Sequence, residues 1–366
     1  MFNDFYKGKR VFITGHTGFK GSWLLLWLNY LGAEIKGYAL KPRTQKDHFI
    51  TAGLESKAES VIADIRDFEK LQKEIKYFRP QVVFHLAAQP LVRESYVNPR
   101  ETYEVNVMGT VNILEALKGC DSVLSFVNVT SDKCYENVEK EAGYQESDPL
   151  GGYDPYSSSK GCSELVTAAF RKSFFDVEKG GRHALVTSAR AGNVIGGGDW
   201  CRDRIMTDSI MALMNKRSIE IRNPEAVRPW QYVLEPLSGY LWLAAQAQRS
   251  DFSSFGGGWN FGPKTSALIK VKDVVDLVVK CWGEGGWKDV SDPAAPHEAR
   301  LLMLDCAKAE AKLGWQPVLD VAKSVEMTVL WYKEFADNED RMGPYSLGQL
   351  EEYIKTAASK NIAWTY

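Results

Sequence analysis

The sequence predicts an α/β protein, a doubly wound parallel sheet with a smaller mixed α/β domain packed over it. Three observations carry this. Up to Arg190, short β-branched or apolar runs alternate with longer helical patterns. A glycine-rich turn, TGHTGFKG (14–21), joins the first strand to the first helix. Beyond Gly196 the texture changes to glycine- and proline-rich loops between short helices.

Taken in order, RVFIT (10–14) is a strand. GSWLLLWLNYLG (21–32) is a helix closed by Gly32, because glycine takes the left-handed conformation found past helix ends. IKGYAL (35–40) and SVIADI (60–65) are the next strands, and Asp67 is placed to cap a helix running through Lys76. QVVFHLAA (81–88) is apolar enough for a strand buried on both faces. A helix from Arg100 to Lys118 leads to SVLSFVNVT (122–130), and one from Pro155 to Phe175 leads to ALVTSAR (184–190). The stretch 231–262 is expected to return to the sheet. Residues 1–192 and 229–262 then form the sheet domain, and 193–228 and 263–366 the smaller one.

Composition narrows the function classes. The 366 residues are 45% hydrophobic and 25% charged, as in an ordinary soluble domain. A formal charge of −2 gives no basic footprint for nucleic acid. The longest apolar run, WLLLWL (23–28), is too short to cross a bilayer, and MFNDFYKGKRVFITG does not read as a signal peptide. The six cysteines form no CxxC pair and read as free thiols of a cytoplasmic protein. The five histidines show no ligand spacing, so no metal is expected.

Gly15, Gly18 and Gly21 in the first turn allow close backbone approach, and the helix behind them offers N–H groups and a positive dipole end to a pyrophosphate. Thr17, Phe19 and Lys20 share that turn. A glycine triplet alone is a plain turn; between a strand and a helix it reads as a dinucleotide site of Rossmann type. The acidic residue expected about twenty positions on is missing. Lys41 and Arg43 stand there instead, which suits the 2′-phosphate of NADP, or simply two solvated cations. Asp64, followed by Ile65, suits a contact to an adenine amine, or a cap for the next helix. Ala87, Ala88 and Gln89 end the fourth strand with small residues against which a cofactor can lie.

YSSSK (156–160) places Tyr156 and Lys160 on one helix face. An ammonium beside a phenol, near a positive nicotinamide ring, favours the phenolate, which makes Tyr156 a general base for a hydroxyl proton. VTSDKCY (129–135) sets Ser131, Asp132 and Lys133 side by side at a buried strand end, a poor place for opposite charges unless they are used.

Together these motifs resemble the extended short-chain dehydrogenase/reductases that act on nucleotide-sugars. The similarity spans nearly the whole chain and includes AAQPLVRESY, NVMGTVNILEA, RAGNVIGGGDW and IRNPEAVRPWQYVLEPLSGY. SDKCY and RAGNVIGGGDW are the narrower stretches, and they resemble a 4,6-dehydratase branch of that family.

The resemblance implies enzyme-bound NAD, in preference to NADP, and CDP-glucose as substrate. It implies oxidation at carbon 4, loss of water across carbons 5 and 6, and hydride return to carbon 6. Tyr156, aided by Lys160, would take the carbon 4 hydroxyl proton, and Ser131 would steady the same oxygen. Asp132, protonated, would serve the departing hydroxyl, and Lys133 would remove the carbon 5 proton. Related dehydratases carry Thr-Asp-Glu where this chain has Ser-Asp-Lys, so Lys133 is either that base or only the ion-pair partner of Asp132. Asn106 would brace the site. Gln89, Arg93, Asn193, Arg204, Arg228 and His297 would hold the nucleotide diphosphate and base. A homodimer or homotetramer through the two long helices, with Val111 and Leu165 at the contact, and a role in a cell-surface polysaccharide route are also implied. Two other readings stand beside this one. An epimerase needs no acid and base after the serine, and a non-catalytic dinucleotide sensor needs neither Tyr156 nor Lys160.

Overall fold

The apolar runs pair edge to edge into one sheet. The computed structural model describes residues 1–140, 142–175, 184–264, 268–292 and 301–366. The sheet contains β1 (Arg10–Thr14), β2 (Glu34–Ala39), β3 (Glu59–Ile62), β4 (Val82–His85), β5 (Ser125–Val129), β6 (Leu185–Ala191) and β7 (Gly257–Phe261). Its order is β7-β6-β5-β4-β1-β2-β3, and every neighbouring pair is parallel. β1 lies between β2 and β4, so the strand order reverses there and opens a crevice at the carboxyl ends. The last strand lies within the stretch expected to return to the sheet.

Helices cover both faces. On one side α1 (Phe19–Tyr30) is buried nearly all round, wedged between the sheet and the C-terminal helices Val321–Asp337 and Met342–Ser359. On the other, α2 (Phe68–Phe78) buries Leu71, Ile75 and Phe78, and the Asp67 carboxylate caps it by accepting from the Lys70 N–H. Strand alternation feeds both cores: Val11 and Ile13 face the α1 side, Phe12 the α2 side.

The expected helix from Arg100 to Lys118 is broken. Pro99–Tyr103 is α-helical, Glu104–Met108 forms a π turn, and α3 (Gly109–Lys118) follows. A π turn inserts one residue and re-aims the side chains around it. Asn106 lies within it and faces inward, 2% exposed, in line with the buried Thr102 and Thr110. Next come α4 (Pro155–Phe174), capped by Asp154, then α5 (Ile205–Met214) and α6 (Leu234–Ala245). Two-stranded pairs tie the later loops, among them Val194–Ile195 with Gln231–Tyr232. No helix among the described residues is long and apolar enough to cross a membrane.

Three buried histidines make this fold acid-sensitive. Burial lowers His16 to about 4, and His48 and His85 to about 3. His48 stacks on Trp23 with centroids 4.4 Å apart and hydrogen-bonds Ser22 and Ser346. Each imidazole stays neutral in the fold but charges near pH 6.5 when unfolded. The stability they contribute is therefore present above pH 6.5 and lost as the pH falls toward 4. Urea unfolding is expected to show a midpoint that falls below pH 6.5, with each histidine adding up to about 1.4 kcal/mol per pH unit to the slope between there and pH 5. His48→Asn reduces that slope, and an unchanged slope would remove His48 from the account.

Candidate active site

The site grows from four strand ends. After β1, Gly15 has φ +76°, and a Cβ on it would lie 2.8 Å from the Ala87 backbone nitrogen. A Cβ on Gly21 would lie 2.1 Å from the Gly15 carbonyl oxygen. Backbone therefore touches backbone between the glycine turn and the end of β4. Thr14 locks the contact: its hydroxyl bonds His85 Nδ1 at 2.7 Å and accepts from the Leu86 and Ala87 N–H groups. Thr17 donates to the Leu40 carbonyl and so ties in β2. Gly18 caps α1 with no side-chain bond, leaving the first turn of the helix without a capping side chain. Small residues and an uncapped helix start make a cradle that fits a dinucleotide pyrophosphate.

At the far end of the crevice, the Asp64 carboxylate takes the fork of Arg66, with Nη2 2.6 Å from Oδ2. That pairing holds the carboxyl below its usual range. Helix capping there belongs to Asp67, not Asp64. Ile65 is buried and packs against Gly109. Lys41 and Arg43 are exposed, and Arg43 reaches the Cys201 sulfur at 3.6 Å.

Asn106 braces the loop after β4. Its Oδ1 accepts from the Gln89 N–H at 2.8 Å, and its Nδ2 donates to the Gln89 carbonyl and to Ser159 Oγ. The Gln89 side chain is itself folded back on Leu91 and Thr102. Ala88 lies between the two anchored residues Ala87 and Gln89. Ser159 stands beside Lys160, so the β4 loop and α4 are joined directly.

Beyond β5, Ser131 caps a short turn, Asp132–Cys134. Its Oγ accepts from the Lys133 N–H at 3.2 Å and donates to Asp132 Oδ1 at 2.9 Å. Asp132 is buried, and burial raises its carboxyl. A Cβ on Gly192 would lie 2.7 Å from Asp132 Oδ2, so only glycine leaves that carboxyl its place. Lys133 is half-buried, and its charge opposes the effect of burial on the Asp132 carboxyl.

Tyr156 opens α4, its N–H donating to Ser95 Oγ. The expected lowering of the phenol concerns Lys160 together with a nicotinamide ring. Burial raises Tyr156 to about 12, opposed by the hydrogen bond with Ser131. The charges that bear on it come from Asp132, Arg204 and Asp154. Lys160 instead donates to the Val129 carbonyl at 3.3 Å, and burial lowers it to about 8. Burial thus favours the neutral form of both groups.

Lys20 reaches the same centre. Burial lowers it to about 8, the charges of Lys160 and Arg204 push the same way, and Asp132 and Asp199 oppose them. Arg204, at the start of α5, pairs with Asp199. Asp199 was not singled out in the sequence, where it reads as a loop acid in a glycine run. The structure thus gathers Lys20, Ser131, Asp132, Tyr156, Lys160 and Arg204. Other expected residues lie apart from this cluster of contacts. Arg93 is exposed and pairs with Asp203 at 3.1 Å. Arg228 donates to the Val227 carbonyl, and the Asn193 carbonyl accepts from the Gln231 N–H. Phe19 starts α1 and packs against Gly196. His297 lies outside the described residues.

The family described as GDP-mannose 4,6 dehydratase matches residues 12–328. The chain is 50% identical over 340 residues to the CDP-glucose 4,6-dehydratase of Salmonella typhimurium, covering 93% of this chain and 94% of that protein. An epimerase from Methanothermobacter thermautotrophicus superposes with a TM-score of 0.77 at 24% identity, over 92% of this chain and 96% of its own. The dTDP-glucose 4,6-dehydratase of Bacillus anthracis, solved in complex with NAD, superposes with a TM-score of 0.75 at 20% identity, over 92% and 100%. These two superpositions establish the shared fold.

The glycine contacts give a direct test of the cradle. Gly21→Ala drives a methyl into the Gly15 carbonyl, so NAD binding is expected to weaken by at least about tenfold with far-UV circular dichroism unchanged. Titration calorimetry checks it; wild-type affinity would show that the dinucleotide sits elsewhere.

Proposed function

This chain belongs to the GDP-mannose 4,6 dehydratase family, and we propose that within it the protein converts CDP-D-glucose to CDP-4-dehydro-6-deoxy-D-glucose and water. The observation that carries this reading is the buried Ser131–Asp132–Lys133 turn set against Tyr156 and Lys160. Hydride transfer alone needs the serine, tyrosine and lysine. An acid and a base immediately after the serine add elimination. The 50% identity to a CDP-glucose enzyme supports cytidine as the nucleotide.

NAD, held by the glycine cradle, supplies the two-electron acceptor at carbon 4 and donor at carbon 6 when bound. Ser131 and Tyr156 receive the carbon 4 oxygen between them. Lys160, at about 8, is poised to hold or release a proton near neutral pH while Tyr156 takes the hydroxyl proton. Asp132, its carboxyl raised by burial against the charges of Lys133 and Lys20, serves as the acid for the departing carbon 6 hydroxyl. Lys133, whose charge acts on the neighbouring Asp132 carboxyl, removes the carbon 5 proton. Lys20 and Arg204 offer cations to phosphate oxygens. Asn106 and Gln89 brace the cofactor side of the crevice. Arg93, Asn193, Arg228 and His297 remain assigned to the nucleotide by resemblance.

A homodimer or homotetramer completes this reading, supported by Met108 and Leu165, 50% and 59% exposed on the two long helical segments. Action in the cytoplasm is favoured by six unpaired cysteines.

Incubation with NAD and CDP-, GDP-, dTDP- or UDP-hexoses tests the substrate: a 4-keto-6-deoxy product is expected from CDP-glucose. If another nucleotide-sugar reacts and CDP-glucose does not, the assignment fails. Lys133→Ala is expected to permit a transient absorbance rise at 340 nm but slow water loss by roughly 100-fold or more. Full turnover by that variant would take the base role away from Lys133.

A further inference from the structure

The Ser131–Lys133 turn stands on a segment held at both ends by one buried charge pair. Glu164, on α4 one helical turn after Lys160, faces Arg190 on β6; their side chains are 3% and 5% exposed. Arg190 Nη2 lies 2.8 Å from Glu164 Oε2, and Nε lies 3.0 Å from Oε1. Just before the turn, Thr130 Oγ1 donates to Glu164 Oε1 at 2.5 Å. Just after it, the Tyr135 hydroxyl accepts from Arg190 Nη1 at 2.6 Å and donates to Asn260 Oδ1. The guanidinium carbon lies 4.8 Å from the Tyr135 ring centroid. Ser188 supplies another bond to Oε2 at 2.5 Å, so each Glu164 oxygen accepts two. A buried ion pair is weak evidence for stability, because desolvation offsets most of its attraction. The direction of its bonds, toward the two ends of one segment, gives it another purpose.

We propose that the Glu164–Arg190 pair is a positioning element of the reaction centre: through Thr130 and Tyr135 it sets Ser131, Asp132 and Lys133 against Tyr156 and Lys160. This inference rests on the dehydration reaction proposed above. None of the four residues needs to touch substrate for this role. The Glu164 charge also acts on Lys160, favouring the ammonium against its burial. The other titratable groups that bear on Lys160 are Lys20 from the glycine turn, His85 from β4 and Cys134 from the turn itself.

Thr130→Val and Tyr135→Phe test the tethers while leaving the ion pair intact. With CDP-glucose and NAD, each is expected to lower kcat by roughly tenfold to 100-fold, as small misplacements of reacting groups do. KM is expected to stay within about twofold and melting within a few degrees. Thr130→Ser keeps the bond and is expected to restore kcat. Glu164→Gln, if it folds, is expected to move the alkaline limb of the kcat–pH profile to lower pH, because Lys160 then loses its proton more easily. Wild-type kcat in both folded tether variants would overturn the proposal. So would a kcat loss matched by an equal fall in substrate affinity or in melting temperature, which marks a merely structural clamp. If the unsubstituted protein ignores CDP-glucose and turns over another nucleotide-sugar, the substrate reading fails, and the same variants decide this inference with that sugar.

Discussion

Everything in the crevice depends on the contact between the turn after β1 and the end of β4. Gly15 and Ala87 meet backbone to backbone, and the Thr14 hydroxyl joins His85 to the Leu86 and Ala87 amides. A parallel sheet leaves its strand ends as separate loops, each free to wander. That contact removes the freedom where the strand order reverses. The loop after β4 is then pinned by Asn106 to α4, and α4 carries Tyr156 and Lys160. One close approach therefore propagates from the dinucleotide cradle to the reacting groups.

Burial is what makes the gathered charges reactive. Lys20, Lys160, Asp132 and Tyr156 are all moved toward their neutral forms by desolvation. Amines that hold their protons less firmly and a carboxyl that holds its own more firmly suit proton traffic near neutral pH. The phenol is the exception, because burial moves it away from the phenolate that a base requires.

Much of this was legible in the sequence. The alternation of β-branched runs and helical stretches identified the parallel sheet, and the glycine spacing identified the turn, because both are local patterns with a backbone cause. Ser131, Asp132, Tyr156 and Lys160 are sequence neighbours in two short stretches, so their meeting needed only β5 and α4 to lie side by side. Asp199 and Glu164 were not legible in that way. Asp199 is one loop acid among many until Arg204 folds back to it. Glu164 has the pattern of a solvated helix residue until Arg190 arrives from β6. Partners brought together by tertiary structure leave no periodicity behind. The burial that raises Tyr156 was hidden for the same reason: the sequence shows the lysine four residues away but not what encloses the phenol.

The π turn at Glu104–Met108 has a consequence for how its helix is decoded. One inserted residue advances the wheel by roughly 100°. The buried positions nonetheless run on through the turn as one line, Thr102, Asn106, Thr110, Ile113 and Leu117. That line is polar as far as Thr110 and apolar beyond it. A search for apolar faces alone would pass over the polar half, which is the half that anchors the loop after β4.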